Sequence, residues 1–127
     1  MNLTNFKFRI WDNETRRYIL APLISIQEGR VWINNLYAKQ PHKDHLLEIE
    51  LCSGIKDYKG IEVYEGDIIA VCKNKDKGLV SLNLLDGWAV KFEQYATSLG
   101  FWTAHDFEVI GNLKENAYLL NERKKEA

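Results

Sequence analysis

Residues 80–92 read VSLNLLDGWAVKF, and the alternation of their apolar and polar side chains decides the fold class. A two-residue period is typical of a β-strand with one buried face. A strict two-residue Asp86-Gly87 turn would place Leu82 opposite Lys91 and mix charged and apolar side chains on one face. A three-residue loop, Leu85-Asp86-Gly87, instead pairs Leu84 with Trp88, Leu82 with Val90 and Val80 with Phe92. This register predicts a bulged hairpin in which Gly87 is left-handed.

The same period continues toward the N-terminus. Residues 6–11 (FKFRIW) alternate, residues 12–15 (DNET) supply turn chemistry, and residues 16–20 resume an extended pattern, which predicts a first hairpin. In residues 24–33 (ISIQEGRVWI), closing the chain at Glu28-Gly29 pairs Ile26 with Val31 and Ile24 with Ile33. Apolar side chains then meet apolar side chains, so a second hairpin is predicted.

Further short strands complete an all-β pattern. Residues 47–51 (LEIEL) place Leu and Ile on one face and two Glu on the other, as in a half-buried antiparallel strand. Four more extended segments are predicted, at residues 61–64, 68–71, 100–103 and 107–110. The aperiodic segment 36–45 reads as a surface loop, and residues 73–78 read as a lysine-rich loop.

The C-terminal residues change character. Asn116 can cap a short helix in which Leu113, Ala117 and Leu120 fall on one side. Charged residues 122–126 follow, so we expect a lightly packed helix that frays at its end.

Composition excludes several classes of protein. The 127 residues are 46% hydrophobic and 28% charged, which suits one compact domain, and the net charge of -1 disfavours nucleic acid and anionic lipid as partners. The longest apolar segment, residues 18–26, is far shorter than a membrane-spanning helix. The opening MNLTNFKFRIW has no apolar signal core, and Cys52 and Cys72 read as a reduced pair, so we expect a cytoplasmic protein without disulfides.

Three stretches of the chain resemble the YopX family, small proteins found mainly in phages and prophages of Gram-positive bacteria. Residues 8–12, FRIWD, resemble the opening F-R-x-W-D of the family. Residues 53–69, SGIKDYKGIEVYEGDII, are similar to its signature T-G-L-x-D-x-x-G-x-x-I-Y-E-G-D-I/V, and residues 107–120, FEVIGNLKENAYLL, resemble its closing E-V-I-G-N-I-x-E-N-P-x-L-L. Ser53 and Ala117 replace the usual threonine and proline, and residues 73–105 match only in outline.

The resemblance implies a fold and an origin, and no reaction. It implies an all-β protein with an SH3-like barrel, made of N-terminal β-hairpins at 1–52, a barrel at 53–113, and a C-terminal helix and charged tail at 114–127. These parts are expected to form one YopX-like domain in the cytoplasm of a bacterial host. The family has no established biochemical activity to carry over.

The acidic motif Tyr64-Glu65-Gly66-Asp67 has two readings. Two neighbouring carboxylates could act as a general acid and base, which would make the protein a small hydrolase. The favoured reading is that, in a β-barrel, the glycine allows a sharp turn while Asp67 accepts hydrogen bonds from nearby backbone N–H groups. Residues 57–60 (DYKG) likewise read as a turn, because no phosphate-binding motif accompanies them.

Candidate metal ligands and nucleophiles are sparse. His42 and His45 are three residues apart, but Pro41 and the lack of a helical period argue against a shared metal. A pair of Cys52 or Cys72 with His105 has no local signature of a catalytic thiol. We therefore expect no catalytic residue, metal or cofactor.

Aromatic residues suggest a binding surface. Trp11 and Trp32 lie on the polar side of their strands together with Arg9 and Arg30, so these four residues are the candidates for an exposed or interfacial patch. The alternative is that a second layer covers both rings. Trp88 is expected in the core of its hairpin.

Three functions follow from these observations. The first is a non-enzymatic module that contacts other proteins, with self-assembly as one form of that contact. The second is a nucleic-acid-binding accessory factor that uses Lys73, Lys75 and Lys77. The third is the small hydrolase, with Glu65 and Asp67 as its acid and base.

Overall fold

A computed structural model describes residues 7–19, 24–27, 30–33, 47–83, 85, 87–103 and 106–122, with the backbone alone at 24–27, 30–33, 101 and 122. The chain is mostly β-strand and divides into two compact units, Met1–Leu51 and Cys52–Ala127. The all-β class predicted from the two-residue period is confirmed. The predicted grouping into one domain with three parts stays a prediction. Within the described residues, no helix is long and apolar enough to cross a membrane.

The first unit is built from antiparallel strands. They are β1 (Phe8–Asp12), β2 (Arg17–Tyr18), β3 (Ile24–Gln27), β4 (Arg30–Ile33) and the first half of β5 (Leu47–Lys56). Strand β1 pairs with β2 on one side, with Trp11 opposite Tyr18, and with β5 on the other, with Arg9 opposite Glu50. The Asp12 carboxylate accepts hydrogen bonds from the backbone N–H groups of Glu14 and Thr15, so the first hairpin and its turn chemistry are confirmed.

The β3–β4 hairpin has the register predicted from its apolar residues. Ile24 lies opposite Ile33, and Ile26 lies opposite Val31. A slip of one residue would have placed polar residues opposite these apolar ones, which explains why the pattern alone predicts the pairing.

The second unit contains a curled antiparallel sheet in the order β10-β9-β8-β7-β11 and a ladder between the second half of β5 and β6. Its strands are β6 (Glu62–Tyr64), β7 (Asp67–Val71), β8 (Lys77–Asn83), β9 (Gly87–Lys91), β10 (Ala96–Ser98) and β11 (Phe107–Asn112). The predicted strand at 100–103 is wrong: residues Leu99–Phe101 form a single 3-10 turn, and the strand lies earlier, at β10. The Ser98 hydroxyl accepts a hydrogen bond from Gly100 N–H and starts that turn.

One apolar core holds the second unit together. Its buried members come from most of its strands and from the 3-10 turn: Val63, Ile69, Val71, Val80, Val90, Phe92, Leu99 and Phe107. Trp88 packs against this core, as predicted from the hairpin pattern. Because β7, β8, β9 and β11 all contribute buried residues to this core, burial of apolar surface fixes the register of these strands.

The β8–β9 hairpin confirms one part of its prediction and corrects another. Gly87 is left-handed, with φ +65°. The partner of Trp88 is Leu82 rather than Leu84, and Val80 lies opposite Val90. The Asn83 side chain accepts a hydrogen bond from Leu85 N–H and begins the loop earlier than predicted. The shift is two residues, so Val80, Leu82, Trp88 and Val90 stay on their predicted face.

The C-terminal helix also differs from its prediction. Two short helices are present, α1 (Leu113–Asn116) and α2 (Tyr118–Glu122). Asn112 caps α1 by accepting a hydrogen bond from Glu115 N–H, whereas Asn116 accepts one from Asn112 N–H. Leu113 and Ala117 are exposed rather than packed, whereas Leu120 is half-buried.

Candidate functional site

The Tyr64–Asp67 motif forms a tight, internally bonded turn. Asp67 is 2% exposed, and its Oδ2 accepts a hydrogen bond of 2.8 Å from Tyr64 N–H. Gly66 has φ +88°, its N–H donates to Val80 O, and its carbonyl accepts from Leu113 N–H. The predicted capping role of Asp67 is confirmed. Because this buried carboxylate already serves its own turn, the geometry favours structure over acid–base chemistry.

Asp57 is a buried junction between two distant parts of the second unit. It is 2% exposed, and Oδ1 accepts hydrogen bonds from Lys59 N–H and Ile61 N–H, both 2.9 Å long. Its Oδ2 accepts from Val109 N–H, also at 2.9 Å. The turn at residues 57–60 is therefore confirmed, but the sequence pattern gave no sign of the bond to Val109, which lies 52 residues away.

An ion pair lies on the surface beside that turn. Lys59 Nζ is 2.7 Å from Glu108 Oε1, and the hydrogen bond to this carboxylate, together with its negative charge, raises the pKa of Lys59 above its ordinary value of 10.5. Lys59 is exposed to solvent, so the pair ties the turn to β11 without creating a reactive amine.

The predicted aromatic patch around Trp11 is not a free surface. Trp11 is 2% exposed, its Nε1 donates to Asn13 Oδ1, and the Tyr18 ring contacts it edge-on at 4.9 Å. The Arg16 guanidinium lies 5.5 Å from the centre of the Trp11 ring. Of the two readings of Trp11, the covered one holds, since neighbouring side chains in the first unit contact the ring.

Arg9 belongs to a network that also corrects the predicted face of β5. Glu50 was expected in solvent but is 6% exposed, while Ile49 on the opposite face is 45% exposed. Glu50 Oε1 accepts hydrogen bonds from Arg9 Nε at 2.7 Å and from Tyr18 Oη at 2.8 Å. A carboxylate with two donors can be buried at acceptable cost, which the alternation of charges along β5 could not reveal.

Several candidates fall partly or wholly outside the described residues. The backbone of Arg30 and Trp32 lies in β4, but their side chains are outside the described residues, as are His42, His45 and His105. Cys52 and Cys72 are free thiols, and Cys52 Sγ lies 3.8 Å from Glu62 Oε2. In the described part of the chain, no group of three His, Cys, Asp or Glu residues is placed to hold a metal ion.

A partly open cavity of ≈ 410 Å³ lies beside the lysine-rich turn between β7 and β8. Its lining is mostly apolar and consists of Val71, Cys72, Lys73, Asn74, Trp102 and Asp106. The turn and Trp102 are about thirty residues apart, and the hydrogen bond from Cys72 N–H to Asp106 O, 2.7 Å long, holds the two segments together. The sequence pattern identified the lysines but did not single out Trp102.

The curled antiparallel sheet with its hairpin extension and short C-terminal helices defines an all-β protein with an SH3-like barrel. The family model described as YopX protein matches residues 7–121, and the chain belongs to that family. The chain is also similar to the crystal structure of protein EF1440 from Enterococcus faecalis, with a TM-score of 0.58 and 20% identity over 91% of this chain and 97% of that chain. No curated protein matches it.

Proposed function

We propose that this YopX family member is a non-enzymatic module, encoded by a phage or prophage, that acts in the bacterial cytoplasm by binding another protein or a second copy of itself. The observation that carries the proposal is Leu85 at the tip of the β8–β9 hairpin, whose side chain is 95% exposed. The buried carboxylates Asp57 and Asp67 support it as well, because both are engaged in backbone hydrogen bonds rather than aimed at a substrate.

The backbone of Leu85 is attached by a hydrogen bond to the paired strands of the β8–β9 hairpin. Its N–H donates to Asn83 Oδ1 at 3.0 Å, and the strands below it pair from Asn83 and Gly87 downward. An exposed leucine recovers about 1.5–3 kcal/mol when its side chain is buried. A hairpin tip that holds such a side chain in water is therefore suited to insertion into a partner.

The test compares the wild-type protein with the variant Leu85→Ser. We expect either a mass above 14.8 kDa that rises with concentration in light scattering, or a defined protein that co-purifies from the host, and a loss of about tenfold or more in that association with the variant. Tyr118→Ser is the matched control, since it removes another exposed apolar side chain, on α2.

Thermal unfolding of both variants should match the wild type. A single-chain mass at every concentration, combined with the same co-purifying proteins for Leu85→Ser and wild type, would contradict the proposal.

A second candidate is supported by the cavity beside the β7–β8 turn. Lys73 and Lys75 are exposed there, and Trp102 lies against the same cavity, which is the combination of positive charge and aromatic ring used by proteins that bind single-stranded nucleic acid. Filter binding across salt tests this function: affinity should fall as salt rises, and the absence of binding at low salt would exclude it.

A further inference from the structure

We infer that the cavity between the β7–β8 turn and Trp102 binds a nucleotide, with an unstacked base against the Trp102 ring and the phosphate beside Lys73. The inference rests on the second candidate function and assigns its site. Two kinds of ligand, a single strand of nucleic acid and a free nucleotide, both supply a planar heterocycle that carries a phosphate.

Trp102 provides a fixed stacking surface. Its Nε1 donates to Thr97 Oγ1 at 3.1 Å, and its backbone N–H donates to Leu99 O. The centres of the Trp102 and Phe92 rings are 6.1 Å apart. Trp102 is half-buried: it packs against the core of the second unit and also lines the cavity. A ring held in one orientation stacks on any base, since every base has a π-face.

Polar groups at the cavity suit the edge of a base. Asn74 Oδ1 accepts a hydrogen bond from Asp76 N–H, which orients the amide so that its NH₂ group can donate. Asp106 Oδ2 accepts bonds from Thr103 N–H at 2.8 Å and from Thr103 Oγ1 at 2.9 Å, so this carboxylate is also fixed in place. A cavity of ≈ 410 Å³ with an apolar lining and a few oriented polar groups has the size and character of a small-ligand site.

The charge near the cavity is positive and favours binding of a phosphate, although the net charge of the whole chain is negative. Residues 73–77 contain three lysines and one aspartate, and Asp106 reduces this local excess of +2 to +1. The whole chain carries a net charge of -1, but charges farther away than about 8–10 Å are largely screened at physiological salt. We therefore expect weak binding with a shallow salt dependence, to which the exposed Lys73 contributes about one phosphate contact.

The experiment follows quenching of tryptophan fluorescence by three probes: an oligothymidylate of about ten nucleotides, AMP, and a duplex of mixed sequence. We expect saturable quenching by the oligothymidylate, weaker quenching by AMP, and none by the duplex, whose bases are already stacked. Filter binding of the labelled oligothymidylate gives the affinities independently of the tryptophan signal.

Matched variants locate the site. Trp102→Ala should weaken oligothymidylate binding about tenfold, and Lys73→Gln should reduce the slope of log affinity against log salt by about 0.7, the value for one phosphate contact with a single strand. The controls Tyr118→Ala and Lys91→Gln remove an exposed ring and an exposed lysine outside the cavity lining and should change neither quantity. Lys73 is exposed, so its variant stays folded even where Trp102→Ala does not.

The outcomes separate this inference from the function on which it rests. Oligothymidylate binding that is unchanged in both Lys73→Gln and Trp102→Ala would overturn the cavity assignment and leave the nucleic-acid function standing. Binding of AMP that is weakened by both variants, without binding of the oligothymidylate, would support the cavity and exclude the polymer as its source. No binding of any probe at low salt would overturn both.

Discussion

Asp57 shows at the scale of one residue how a turn becomes part of the fold. Its carboxylate satisfies the N–H groups of Lys59 and Ile61 within the turn and that of Val109 in β11. The carboxylate is buried, and a hydrogen bond to a charged group contributes about 1.5–3 kcal/mol, so this one side chain stabilises two segments together.

Replacing Asp57 tests that role. We expect Asp57→Ala to lower the free energy of unfolding by about 3–5 kcal/mol, because three backbone donors lose their acceptor, and Asp57→Asn to lower it less, because one amide oxygen remains. Urea unfolding measures both. Asp76→Asn is the control, an exposed turn carboxylate whose replacement should change stability by less than about 0.5 kcal/mol. A loss no larger than that of the control would contradict the role.

The ion pair between Lys59 and Glu108 should make the stability of the protein depend on pH in the alkaline range. The folded pKa of Lys59 is raised above 10.5 by the Glu108 carboxylate, so the stability that this pair adds is complete below pH 10.5 and is lost as pH rises through the folded pKa. In Glu108→Gln that alkaline loss should shrink.

Urea midpoints on either side of pH 10.5 measure the effect, and Glu93→Gln, an exposed carboxylate at another position, serves as its control. If the midpoint of Glu108→Gln falls as steeply as that of the wild type, the ion pair does not carry the alkaline dependence.

At the scale of the element, the β8–β9 hairpin depends on two glycines for different reasons. At Gly78 a Cβ would lie 2.5 Å from Val90 Cγ1 and 2.9 Å from Phe92 Cε1, so the side chains across the sheet occupy the space of a methyl group. At Gly87 no atom lies within 4 Å of such a Cβ, and the requirement is the left-handed backbone of the loop.

The costs of replacing Gly78 and Gly87 by alanine should therefore respond differently to the substitution Val90→Ala. Gly78→Ala should destabilise the protein by about 1–3 kcal/mol through overpacking, and by less when it is made in a Val90→Ala background, where the space is already open. Gly87→Ala should cost about 1–2 kcal/mol that Val90→Ala does not recover. Thermal or urea unfolding of the single and double variants measures these costs. If Val90→Ala reduced the cost of both glycine substitutions, or of neither, the distinction would be contradicted.

The hairpin also shows how far an apolar pattern predicts an element. Alternation placed each of Val80, Leu82, Trp88 and Val90 on its correct face, because a strand has only two faces. It could not determine which residues pair within that face, since apolar residues still lie opposite apolar residues after a shift of two residues. Asn83, a loop-forming side chain at the strand end, decided between the two registers.

At the scale of the whole molecule, the YopX family model and the likeness to EF1440 each cover most of the chain. The likeness at 20% identity shows the fold alone, so function depends on surface features of this chain. Leu85 and the Trp102 cavity are two such features, and they occupy different elements of the second unit. Their tests are therefore independent of each other.

The sequence by itself determined the all-β class, the β3–β4 register and the turns at Asp57 and Asp67, because strand period and turn chemistry are local properties of the chain. Only the tertiary structure decided that Trp11 and Glu50 are buried, that Asp57 bonds to Val109, and that Trp102 shares a cavity with Lys73. Apart from the contacts of Trp11, those facts join residues far apart in sequence, and neither the burial of a side chain nor the partner of a buried polar group is encoded in the period of its own strand.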